Sequence, residues 1–213
     1  MASPVTVPDS AEWPHPRNPV CGKPLYEIRD NRRVDPSAPL LVVVTGPPGA
    51  GKTTIAESLR EELGLPLVAK DALKEALGGE LGVTGRDASQ RLGGAVYEVL
   101  GLVVHELLRA GVSVIAEGNF TAETRFLHDL PPSRVVQVHV TAAPDVLRRR
   151  MLERDSTRHP VHHDRETADE LVARTARGEW APLRLDGETI SIDTSECFPA
   201  VSVMLRQCLS ERI

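Results

Sequence analysis

Nine consecutive residues, Gly46, Pro47, Pro48, Gly49, Ala50, Gly51, Lys52, Thr53 and Thr54, follow the aliphatic run Leu40 to Val44. Gly46, Gly51, Lys52 and Thr53 satisfy the spacing G-x4-G-K-[ST]. Glycines let a backbone take positive φ and approach a ligand closely. Successive N–H groups can then converge on phosphate oxygens. A helix starting near Lys52 adds its N-terminal amides and dipole. In this motif the lysine reaches the β- and γ-phosphates and the hydroxyl residue serves Mg²⁺. An ordinary Gly/Pro turn is the alternative. The strand before the motif and the helix after it supply the context that nucleotide binding requires.

Other residues have types suited to phosphoryl transfer. Asp71 ends the second expected strand. It reads as a helix N-cap, or as a carboxylate that takes the proton of a substrate hydroxyl and touches Mg²⁺; the two roles can coexist. Lys70 is either a solvated strand end or a contact for an anionic substrate. Glu117 and Asn119, in AEGNF, end the third strand and would order metal-bound water or hold substrate, unless they only form a turn. Arg150 and Arg154 share a helix face at i, i+4. Arginines that stabilise the transferring phosphoryl group are worth about 10³–10⁵ in rate. Arg148 and Arg149 read as a solvated face, and Arg158 lies past the helix end as a further substrate contact. His159, His162 and His163 could ligate a metal, but no element holds them together, so a polar lid is the preferred reading. The segment 79–110 should border the acceptor, offering Arg86, Asp87, Gln90, Arg91 and Tyr97.

These residues need elements to carry them to one place. Residues 40–45 form a continuous β-branched apolar run, as in a strand buried on both faces. Further strands are expected over 65–70, 112–117, 135–140 and 189–194. Helices are expected over 52–64, stopped by Gly64, over 71–79, 88–110, 143–155 and near 166–178, with a last one closing the chain. Five strands separated by helices require parallel pairing through right-handed crossovers. Ligands of such sheets sit at the carboxyl ends of the strands. The candidates at 46–54, 70–71 and 117–119 directly follow three of those ends. Residues 1–39 carry eight of the 17 prolines and no periodicity, so they read as an extended arm, solvated or anchored on the surface through Trp13, Leu25, Tyr26 and Ile28.

The composition suits a globular α/β domain: 213 residues, 41% hydrophobic and 26% charged, but only 3% aromatic, so aliphatic side chains must build the core. A net charge of −5 argues against a broad nucleic-acid surface, and few aromatics argue against stacking a long single strand. No run of about 18 apolar residues suggests a membrane span, and no signal segment is visible. Three cysteines without CxxC spacing suit a reduced, cytoplasmic setting.

The order GPPGAGKTT, KDALKEAL, VIAEGNF, VHVTAAPDVLRRRMLER and RHPVHHD resembles the small AAA-type ATP-binding kinase family of P-loop proteins, close to chloramphenicol phosphotransferase, zeta-toxin and gluconate kinases. The likeness spans about residues 40 to 195. It implies a three-layer P-loop domain with a five-stranded parallel sheet, adenylate-kinase-like, and a small lid at about 155–165. It implies ATP and Mg²⁺ on Gly46 to Thr54, Asp71 as base, and Arg150 and Arg154 as the R-x3-R opening the lid, the first packing on adenine and the second approaching phosphate. Relatives often carry D-x-x-N after the third strand, where this chain has Glu117-Gly118-Asn119. No N/T-K-x-D motif of a GTPase and no LSGGQ of an ABC ATPase occurs. The expectation is a Mg²⁺-dependent ATP phosphotransferase acting on a hydroxyl of a small antibiotic, nucleoside or sugar. The rivals are a nucleotide-dependent switch without such an acceptor and a zeta-toxin-like nucleotide-sugar kinase.

Overall fold

A computed structural model describes residues 26–29, 37–154, 159, 161–162 and 164–196. The segments expected as the rest of the arm, most of the lid and the closing helix lie outside these residues, as do Arg158 and His163.

In chain order the elements are β1 (Tyr26–Arg29), β2 (Leu40–Thr45), α1 (Lys52–Leu63), β3 (Leu67–Ala69), α2 (Lys70–Glu80), α3 (Arg86–Arg109), β4 (Val114–Glu117), a 3-10 turn (Arg125–Leu127), β5 (Arg134–Thr141), α4 (Pro144–Arg154), α5 (Asp164–Ala176) and β6 (Glu188–Asp193). The sheet order is β1-β6-β5-β2-β4-β3. β2 through β6 are all parallel. Numbered among themselves, these five strands run 2-3-1-4-5, the arrangement expected of a P-loop domain.

β1 is the addition. It pairs antiparallel with β6, from Tyr26↔Ile192 to Arg29↔Thr189, inside the segment read from sequence as an arm without strand character. Four residues give too short a run for alternation to register, and the partner strand lies at the far end of the described chain.

β2 sits at the centre and is buried throughout. Its side chains alternate between two cores, as strand geometry demands. Leu40, Val42 and Val44 pack with Ile55, Ala56 and Leu59 of α1 and Val146 and Leu147 of α4. Leu41 and Val43 pack with Leu100, Val104 and Leu108 of α3. This double burial is why residues 40–44 are uniformly aliphatic. A smaller cluster of Leu92, Val96 and Val161, with Leu73 and Leu77 against it, ties α2 and α3 to the chain between α4 and α5.

Most boundaries agree with the pattern reading to within a turn. Gly64 caps α1 in the left-handed conformation, its N–H donating to Arg60 O at 3.0 Å. One local assignment changes. Ala69, in extended conformation, is the N-cap of α2, and Asp71 stands inside the first turn. The strand ends at Ala69, so the helix starts two residues earlier than an Asp71 cap would require. There the carboxylate complements the helix dipole and lines the cleft beside Lys70.

Candidate active site

The phosphate-loop residues leave β2 and turn into α1. Gly46 has φ 141, and a Cβ there would stand 1.9 Å from Val140 O at the end of β5. Only glycine lets the loop pass β5 this closely. Gly51 takes φ 90 as N-cap of α1. Pro47 O accepts from Ala50 N at 3.3 Å, closing the turn. It also accepts from Lys52 Nζ at 2.9 Å, so the buried ammonium folds back over the mouth of the loop. Pro48, Gly49, Gly51, Lys52, Thr53 and Thr54 line one cleft of ≈ 980 Å³. Gly46, Pro47 and Ala50 form the loop's frame behind them.

The loop is clasped from outside by Arg150 and Thr194. Arg150 donates to Thr194 O at 2.7 Å, to Thr194 Oγ1 at 2.9 Å and, at 3.5 Å, to Gly49 O. Thr194 Oγ1 lies 2.9 Å from Ala50 O and 3.1 Å from Thr141 O. Partial burial and Arg149 draw the Arg150 pKa down, opposed by Glu153 and Asp193. Arg154, one turn on, and Glu153 line the same side of the cleft. Arg148 and Arg149 are exposed and pair with Asp169 and Glu153, the solvated face that their positions suggested.

The β4 exit lies against β2. Val44 pairs with Glu117, and Gly118 N donates to Val44 O at 3.1 Å. Thr45 Oγ1 donates to Phe120 O at 3.3 Å. Glu117 is thereby buried two residues from the loop, and both it and Asn119 reach the cleft.

α2 and α3 supply Lys70, Asp71, Lys74, Gln90, Gly93 and Tyr97 to the lining of the same cleft. Lys70 Nζ donates to Asp71 Oδ1 at 3.0 Å. Tyr97 OH donates to Asn119 O at 3.1 Å. Burial, followed by the charges of Asp71 and Glu117, holds the Tyr97 hydroxyl strongly in its protonated form. Lys74, which the sequence reading passed over, is buried and donates to Ser89 Oγ at 2.6 Å. Its signal was available: it stands one turn after Lys70, on the same face of α2. Arg91, expected as a substrate contact, lies elsewhere. It is exposed and not part of the cleft lining, whereas its neighbour Gln90 is, because the 100° step between helical residues turns it away.

Another part of the lining also went unread. Trp180, nearly buried, lines the cleft with Arg174 5.0 Å over its ring, and Arg174 is held by Glu179. Trp180 O accepts from His139 Nε2 at 2.8 Å. This carbonyl forces the Nε2–H tautomer, and burial lowers the His139 pKa, assisted by nearby Lys52 and resisted by the carbonyl bond. The histidines of the lid region form no metal cluster among the described residues. His162 instead meets Glu75 at 3.0 Å, and His159 Nδ1 accepts from Val161 N.

A family model described as an AAA domain, AAA_33, matches residues 41–177, which takes in the loop, both cleft-facing helices and the paired arginines. This chain belongs to that family of P-loop kinases. In solved structures it is similar to a candidate kinase of Chloroflexus aurantiacus J-10-fl, 33% identical over 83% of this chain and 99% of that one, with TM-score 0.72. It is also similar to a sugar kinase of Janibacter sp. HTCC2649, 22% identical over 82% and 93%, TM-score 0.54, a likeness of fold. Over 44 residues it is 46% identical to the cytidylate kinase of Ignicoccus hospitalis; this stretch is 21% of the chain, and it spans only 26% of that curated relative. No helix among the described residues is long and apolar enough to cross a membrane.

Proposed function

We propose that this protein transfers the γ-phosphoryl group of ATP to a hydroxyl of a small molecule, with Mg²⁺. The observation that carries this reading is the convergence on one cleft of a nucleotide loop, ending in Lys52 and Thr53, and a carboxylate, Asp71, from α2. A switch needs the loop alone. The polar wall built by α2, α3 and the β4 exit gives an acceptor somewhere to sit.

The chain's own groups divide the work. Loop amides and Lys52 hold the polyphosphate. Asp71 accepts the acceptor's hydroxyl proton as that oxygen bonds to the γ-phosphorus and the bond to the ADP oxygen breaks. Arg154 reaches the developing charge from α4. Arg150 fixes the loop through Gly49 and Thr194 and presents its remaining surface to the nucleotide. Lys70, Asn119 and Glu117 border the acceptor. The donor chemistry fits Mg²⁺, which takes hard oxygen ligands: Thr53 offers a hydroxyl in the first turn of α1, and the carboxylates of Asp71 and Glu117 face the same space. When bound, the ion would neutralise charge on the β- and γ-phosphates.

A transfer screen with labelled ATP over small hydroxyl compounds tests this, with Lys52→Ala as blank. Asp71→Asn should bind ATP as the parent does and lose transfer by about 10²–10⁴-fold. Transfer at the parent rate would remove Asp71 from the role of base.

A further inference from the structure

Lys70 does not stand as a loose end at the strand terminus. Its side chain is 11% exposed, and Asp71 beside it is 28% exposed. Neighbouring residues on a helix do not ordinarily face each other, so an ammonium meeting the carboxylate of the next residue at 3.0 Å needs support from elsewhere. The surroundings provide it. Lys70 Nζ lies 5.7 Å from the centre of the Tyr97 ring, within range of a cation–π contact. The ring is fixed at both ends: its hydroxyl donates to Asn119 O, and it packs against Phe120 with centroids 6.0 Å apart. The stem of Lys70 passes Gly118, where a Cβ would stand 3.2 Å from Lys70 Cβ and 2.8 Å from the Phe120 ring. The β4 exit, Gly118 to Phe120, and Tyr97 of α3 thus form a seat for one lysine.

We propose that Lys70 is a positioning residue: seated on the Tyr97 ring and bonded to Asp71 Oδ1, it sets the orientation in which the Asp71 carboxylate meets the acceptor hydroxyl. This rests on the reading of Asp71 as the base. It replaces the sequence-based expectation that Lys70 itself binds an anionic substrate. The consequence is coupling. Lys70 and Tyr97 act through one carboxylate, so their removal is not additive.

The test uses the full chain and labelled ATP, with the alcohol returned by the screen as acceptor and phosphate release to water as a second readout. Misplacing a reacting group by about 1 Å costs on the order of 10²-fold. Lys70→Met should lower kcat by about that factor and leave the KM for ATP and the melting temperature unchanged. Lys70→Arg, which still donates and still stacks, should recover most of the loss. Tyr97→Leu should approach Lys70→Met, Tyr97→Phe should lose less, and Lys70→Met/Tyr97→Leu should lose no more than either alone. A crystal structure of Lys70→Met should show the Asp71 carboxylate turned from its parent orientation. An unmoved carboxylate, a parental kcat for Lys70→Met or multiplied losses in the double variant would each overturn the proposal. If Asp71→Asn is inactive while Lys70→Met is parental, only this inference fails. If Asp71→Asn is fully active, the reading of the base fails with it.

Discussion

His139 shows how one buried side chain of β5 carries a pH-dependent load. It stands opposite Thr45 in the sheet, buried, with its Nε2–H committed to Trp180 O. Burial and Lys52 keep its folded-state pKa below the ordinary 6.5. The unfolded chain therefore binds a proton here at a pH where the folded chain does not. The sign follows: stability is full above about 6.5 and falls as pH drops below it toward the folded value. Denaturant midpoints measured at pH 7.5 and 5 should differ, and His139→Gln should narrow that difference. The roles legible in the sequence at this scale were those set by local spacing. Lys52 and Thr53 could be placed because the loop, strand and helix are contiguous. Arg150 was legible as a cleft residue but not as the partner of Thr194, since 44 residues separate them and nothing in either neighbourhood marks the pairing. That Gln90 and not Arg91 lines the cleft was illegible for a related reason: apolar periodicity orients α3 to its core, but not finely enough to sort adjacent polar residues around the helix.

At the scale of elements, α3 holds an apparent contradiction. It is 24 residues long, yet Gly93 and Gly94 interrupt its interior. A glycine inside a helix is about 0.5–1 kcal/mol less favourable than alanine. Packing does not explain Gly94, since nothing lies within 4 Å of a Cβ built there; at Gly93 only the end of Lys74 does, at 4.0 Å. Both residues line the cleft. Gly94→Ala should raise the thermal midpoint by the few degrees that such a gain implies for a domain of this size, as calorimetry would show. A fall would mean that the backbone here needs glycine after all. Elements with a strong internal pattern, such as 40–45 and 52–64, were readable because double-sided burial and a glycine cap leave plain marks. β3, three half-buried residues, and the short 3-10 turn leave much weaker ones.

For the molecule as a whole, the edges of the sheet matter. β3 closes one edge with three residues, and β1 covers β6 at the other with four. Short edges limit the unpaired backbone on offer to other chains. Deleting residues 1–36 removes β1 and bares the outer edge of β6. The shortened protein should melt lower and scatter more light on concentration than the full chain; equal behaviour would mean that β1 contributes nothing to the edge. This strand was illegible because its reason for forming lies in a strand about 160 residues later, not in its own four residues.

The clasp behind the phosphate loop has a consequence for what counts as the smallest nucleotide-binding piece of this chain. The motif is contiguous, but Val140 O crowds Gly46 and Thr194 grips Ala50 and Arg150 from beyond β6. A peptide spanning 40–64 contains every letter of the signature and none of its mould. Such a fragment should have no measurable affinity for ATP, because the shape that the motif is known by is imposed from elsewhere in the sheet.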